Sequence, residues 1–145
     1  MSLIELVVVI IVVGAVAAVA VLKFSGSLLE HQATALARQI VMDIDTVRSV
    51  ARASSTTKSL SFDTVNKTYT LNGVANPNRS SAAYVVAIND YSTGAAFGAI
   101  DLGGDKTLSF NGFGKPDSGG TIQITVGAVS KTIVVDADTG SATVP

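Results

Sequence analysis

Residues 1–22 read MSLIELVVVIIVVGAVAAVAVL, and the reading of this stretch decides the fold. Between residues 3 and 22 the one charge is Glu5 and the one helix-weakening residue is Gly14. At about 1.5 Å per residue such a run makes a helix of roughly 30 Å, the thickness of a bilayer core. The sequence therefore predicts a single membrane-spanning helix. A secretory signal peptide fits poorly, because no base precedes the apolar core and the core is long. Val and Ile fill positions 7–13, and Ala and Val follow; these stiff or small side chains suit close helix–helix contact.

Glu5 is the outlier. A carboxylate in a membrane helix costs about 2–4 kcal/mol on insertion scales, so it calls for a cation or a proton. A free α-amino group, with a pKa near ~8, is mostly protonated at neutral pH and is the nearest cation. The chain's own amine stands four residues away, and a neighbouring chain's amine is a second partner. The physics leaves two readings open: a headgroup-level charge on a single-pass anchor, or a charge that pairs between chains.

Beyond Gly26 the pattern turns amphipathic. Leu29, Ala33, Leu36, Ile40, Ile44, Val47 and Ala51 recur at spacings of three and four, one face of a helix. Glu30, His31, Arg38, Asp43, Asp45, Arg48 and Arg52 are assigned to the other faces. Ser25 or Ser27 can cap a restart if the helix breaks at FSGS. The rest of the chain reads as β. KSLSF and KTYTL alternate apolar and polar residues around a DTVN turn, AYVVAI reads as a central strand, and KTLSF, TIQITV and KTIVV follow. The expected architecture is α+β: a long helix at 1–54, apolar over 1–24 and amphipathic over 25–54, with its second half packed on one antiparallel sheet built from 55–145.

Composition narrows the function. There are seven acids and six bases after Ser54 and four of each before it, so neither half presents a basic surface for nucleic acid. The mean hydropathy of +0.47 resides mostly in the first 22 residues. The absence of cysteine excludes disulfides, thiolate metal sites and thiol catalysis.

SLIELVVVI, residues 2–10, resembles the start of a mature type IV pilin or type II secretion pseudopilin, with Ser2, Leu3, Ile4 and Glu5 in the family's context and Gly14 where these helices often carry glycine. The C-terminal region, SFNGFGKPDSGGTIQITVGAVSKTIVVDADTGSATV, is similar to the subgroup of pseudopilin H and the minor pilin FimT: an aromatic, a Gly-rich turn, two strands and a Thr-Gly turn before a last short strand. The resemblance implies the type IV pilin fold and a structural, non-enzymatic role without cofactor. It implies cleavage by prepilin peptidase before Met1, N-methylation of Met1, and pairing of Glu5 with a neighbour's amine. It also implies a single pass through the inner membrane before assembly, then a homo-oligomeric helical filament, extracellular or periplasmic, driven by a separate assembly ATPase. Two positions depart from the pattern: Met1 stands where Phe is usual, and Leu22 where many relatives have proline. Any helix break is therefore expected at Gly14. Alternatives within the resemblance are a minor pseudopilin of a secretion system and a DNA-uptake minor pilin.

Other chemistry finds little in the residues. His31 is the sole histidine, so neither a Ser-His-Asp set nor a paired-histidine zinc motif can be assembled without it. Asp136, Asp138 and Gly140 resemble a fragment of a calcium loop but lack the later bidentate Glu, and the same residues make a turn; no metal is expected. DNA capture would call for clustered bases, whereas Gly140 is followed by Ser141, Ala142 and Thr143. Asn66 and Asn78 open the sequons NKT and NRS and are candidate glycosylation positions.

Overall fold

A computed structural model describes residues 2–77 and 79–145, with side chains at 2–17, 26–77 and 83–145. One α-helix, α1, runs from Leu3 to Ser54. It opens on Ser2, in extended backbone, whose carbonyl accepts from the amides of Glu5 and Leu6 at 3.0 and 3.3 Å. It closes on Ser55 in the left-handed region at φ 50°, where the Ser55 amide donates to Arg52 O and the Thr56 amide to Ala51 O. That pair of bonds is the Schellman arrangement, which satisfies carbonyls the helix end leaves open. The helix passes through Gly14 and Gly26 without interruption, so neither a break at Gly14 nor a restart at FSGS is present. Isolated glycines weaken a helix by about 1 kcal/mol each, too little to end this one.

Eight strands follow in two antiparallel sheets. β1 (Lys58–Asp63), β2 (Thr68–Asn76), β3 (Arg79–Ala87) and β5 (Thr107–Phe110) make one, in the order β3-β2-β1-β5. β4 (Ala95–Asp101), β6 (Gly120–Val126), β7 (Val129–Val135) and β8 (Ala142–Thr143) make the other, in the order β4-β6-β7-β8. The single expected sheet is thus two. AYVVAI lies in β3 up to Ala87, with Ile88 opening a 3-10 turn, and β3 is on an edge rather than in the centre. β4 was not expected at all: its Ala- and Gly-containing sequence, AAFGAID, carries little β signal, and its pairing with β6 shifts register between Phe97 and Ile100.

The core lies where α1 covers both sheets. Ala33, Leu36, Ile40, Ile44, Val47 and Ala51 are fully buried, and Leu29 packs at the margin. Across from them stand Leu60, Tyr69, Leu71, Leu108 and Phe110 of the first sheet, and Ile122, Ile124, Val126 and Ile133 of the second. The pleat explains the selection: Leu60 faces Leu71, and Ile122 faces Ile133, as cross-strand pairs on the inward side. Phe62 ties the sheets together, edge-on to Phe97 of β4 at 5.6 Å between ring centroids and tilted against Tyr69 at 5.8 Å. At the surface Lys131 of β7 pairs with Glu30 of α1.

The expected membrane crossing is not supported. Among the described residues no helix is long and apolar enough to cross a membrane. This overturns the single-pass inner-membrane location expected for residues 1–24.

Candidate assembly surface

The two halves of α1 differ in what covers them. From Ala33 to Ala51 one stripe is sealed by the sheets, whereas every described residue from 2 to 17 is exposed. Leu3, Ile4, Leu6, Val7, Val8, Val9, Ile10, Ile11, Val12, Val13 and Val16 all stand in the open, on all sides of the helix. A helix apolar all round is normally enclosed by other apolar groups. Gly14 has no heavy atom within 4 Å of where a Cβ would stand, so nothing among the described residues packs on it.

Glu5 occupies the third position of the helix. Its Oε2 accepts a 3.4 Å hydrogen bond from the Ser2 amide, the reciprocal half of a capping box, and a carboxylate there also complements the helix dipole. No cationic side chain of the described residues pairs with it. Met1, expected to carry the terminal amine, lies outside the described residues, as does Asn78. Asn66 is exposed in the β1–β2 turn, where its Nδ2 donates to Asp63 Oδ2 at 2.7 Å and its amide to Asp63 Oδ1 at 2.9 Å. Those bonds hold the Asp63 carboxyl below its ordinary range.

The other polar motifs are accounted for by turns. Asp136 Oδ1 accepts from the amides of Asp138 and Thr139 and from the Thr139 hydroxyl, bonds that hold its carboxyl low and tie its oxygen into the turn itself. Among the described residues no three His, Cys, Asp or Glu side chains are grouped to hold a metal. His31 is exposed on α1. The head's described bases are dispersed: Lys58 lies against Gly73, Lys106 donates to Thr64, and Lys131 pairs with Glu30.

One buried polar pair escaped the sequence reading. Asp43 is 4% exposed and bonded to the hydroxyl of fully buried Tyr69. The spacing did carry a signal, since Asp43 stands three residues after Ile40 and four before Val47, on the apolar stripe itself.

No protein-family model, curated protein or solved structure matches this chain.

Proposed function

We propose that this chain is a structural subunit that polymerises through the N-terminal half of α1 into a helical filament, with its two-sheet head outward. This is the manner of the type IV pilins and pseudopilins that its start resembles, and the chain's α+β architecture is compatible with their fold. The observation that carries the reading is the contrast within one continuous helix: a sealed stripe at 33–51 and an all-round apolar surface at 3–17. Identical helices from other copies are the occupant best matched to that surface. Enclosing each large side chain is worth about 1.5–3 kcal/mol, and several per copy exceed the cost of association, estimated at about 4–15 kcal/mol.

Glu5 fits as the register mark. Enclosed among apolar helices, its carboxylate needs a cation, and the α-amino group of a neighbouring copy supplies one. The test is electron microscopy of the purified chain. Long uniform filaments made of this chain alone support a major subunit. Their absence at all concentrations, with the head folded, contradicts self-polymerisation.

A further inference from the structure

β3 is the outermost strand of the first sheet and is nine residues long. Among the described residues no backbone bond from any element but β2 reaches 83–87, so the outer N–H and C=O groups of this run are open. Charge, proline, a bulge or shortness normally guards such an edge. From Ser80 to Ile88 the run SSAAYVVAI holds no charge, proline or glycine, and its register on β2 is regular from Leu71↔Tyr84 to Thr68↔Ala87. The other sheet edges are guarded. Residues 115–117 close the outer side of β5: Phe110 bridges Pro116, the Asp117 amide donates to Ser109 O at 2.9 Å, and the Ser109 amide donates to Asp117 Oδ1 at 3.0 Å. β8 is two residues long. β4 shifts register between Phe97 and Ile100 and ends on Asp101.

The side chains of β3 alternate as the register dictates. Tyr84 and Val86 stand opposite buried Leu71 and Tyr69, on the core side. Val85 stands opposite Thr70 on the outward side and is 50% exposed. An incoming antiparallel strand sets residues of the same face opposite one another. With a second β3 as that strand, centred on Val85, Val85 meets Val85 on the outward side and Tyr84 meets Val86 twice on the core side. β-branched and aromatic pairs of this kind stabilise sheets, and no like charges are brought together. A slip of one residue would set core-side residues against outward ones. A slip of two sets Val85 against Ala83 or Ala87 and loses the valine pair.

We propose that β3 is a pairing edge on which a second copy of this chain adds its own β3, antiparallel and about a two-fold axis, so that two four-stranded sheets join into one. The open backbone groups call for an extended strand. The run is neutral and does not repel its own copy, and the one long unguarded edge that a second copy offers in return is its own β3, which is why a second copy is the occupant. The contact is isologous and closes at the dimer. It uses none of residues 3–17 and stands apart from the polymer reading. Because α1 lies on the face of the sheets, the two-fold runs the two α1 helices in opposite directions, so the dimer is a form of the dispersed chain.

The chain's lack of cysteine allows a direct test. Val85→Cys in the full chain, dispersed and treated with a short bis-maleimide, is expected to give a covalent dimer and nothing larger. Val134→Cys, 40% exposed on β7 of the second sheet, is the control and is expected to stay monomeric. Dimer in equal yield at both positions, or at neither, overturns the contact. Independently, sedimentation of the dispersed unsubstituted chain is expected to show a monomer–dimer equilibrium. Val85→Lys sets two like charges opposite each other and is expected to raise the dissociation constant about tenfold or more, with an unchanged melting temperature of the monomer. An unsubstituted chain that is monomeric at every concentration, or a Val85→Lys chain that dimerises as before, overturns the contact. The polymer reading is decided separately, by whether the unsubstituted chain forms filaments under the microscope.

Discussion

The hydroxyl of Tyr69 donates a 2.5 Å hydrogen bond to Oδ2 of Asp43 inside the seam between α1 and the first sheet. Gln39, one turn earlier on the helix, donates to the other carboxylate oxygen at 3.2 Å. Burial pushes the Asp43 carboxyl above its ordinary range, and the bonds from Tyr69 and Gln39 oppose the shift without cancelling it. Burial, then the bond to Asp43, pushes the Tyr69 hydroxyl far up, so it remains a donor at any ordinary pH. The seam therefore holds a satisfied polar pair within an otherwise apolar stripe, which fixes how α1 sits along the sheet.

The pair makes stability depend on pH. A carboxyl whose folded pKa lies above its unfolded value near 3.8 favours the folded state most below the unfolded value. That contribution is lost as pH rises through the folded value. Asp43→Asn, which cannot ionise, is therefore expected to gain stability relative to the unsubstituted chain as pH rises from 3 through the weakly acidic range. Urea unfolding of both proteins at a series of pH values measures this; parallel curves would refute it.

Tyr69→Phe removes the donor and leaves the carboxylate to Gln39. Loss of a buried bond to a charged acceptor is expected to cost about 1–3 kcal/mol. The deficit should be larger at neutral pH than in acid, where the carboxyl is protonated. Denaturant titration at two pH values checks both the size and the trend.

Ile40 and Leu36 are fully buried at the centre of the helix stripe. Truncating either to alanine removes contacts and leaves a cavity, with an expected loss of about 2–5 kcal/mol. Val9→Ala, on the exposed half, is expected to change the stability of the unassembled chain by less than about 0.5 kcal/mol. Thermal melts of the unassembled protein separate the two halves of α1 by this criterion.

Glu5→Ala removes a charge that touches only Ser2 within the described chain. The head should melt as before, within about 1 kcal/mol, while filament yield falls sharply. A pelleting assay run beside the melts reads the two effects separately; a normal yield would remove the pairing role of Glu5.

The sequence was most legible where one period dominated. The i, i+3, i+4 run from Leu29 to Ala51 marked the buried stripe correctly, and the alternating segments KSLSF and TIQITV fall in β1 and β6. What it missed has physical causes. β4 is built from small residues whose strand form comes from pairing with β6 rather than from propensity. The division into two sheets depends on which strands meet, which periodicity does not encode. Asp43 was assigned to a solvent face because it is charged, although its position placed it in the core. For the candidate surface, the apolar run at the start of α1 and the placement of Glu5 at its beginning were readable from the first residues. The bond from Arg48 Nε to Gly114 O, which ties the turn at 111–115 to α1, was not, since it joins distant parts of the chain.

The central claim is that the exposed half of α1 becomes enclosed by other copies. Single cysteines at Val9 and at Val65, in a chain with no other thiol, report on it directly through their rates of reaction with a maleimide before and after assembly. The account predicts that both react freely in the dispersed chain, and that in the polymer the Val9 site is protected while the Val65 site stays reactive. Equal reactivity at Val9 in the two states would contradict it.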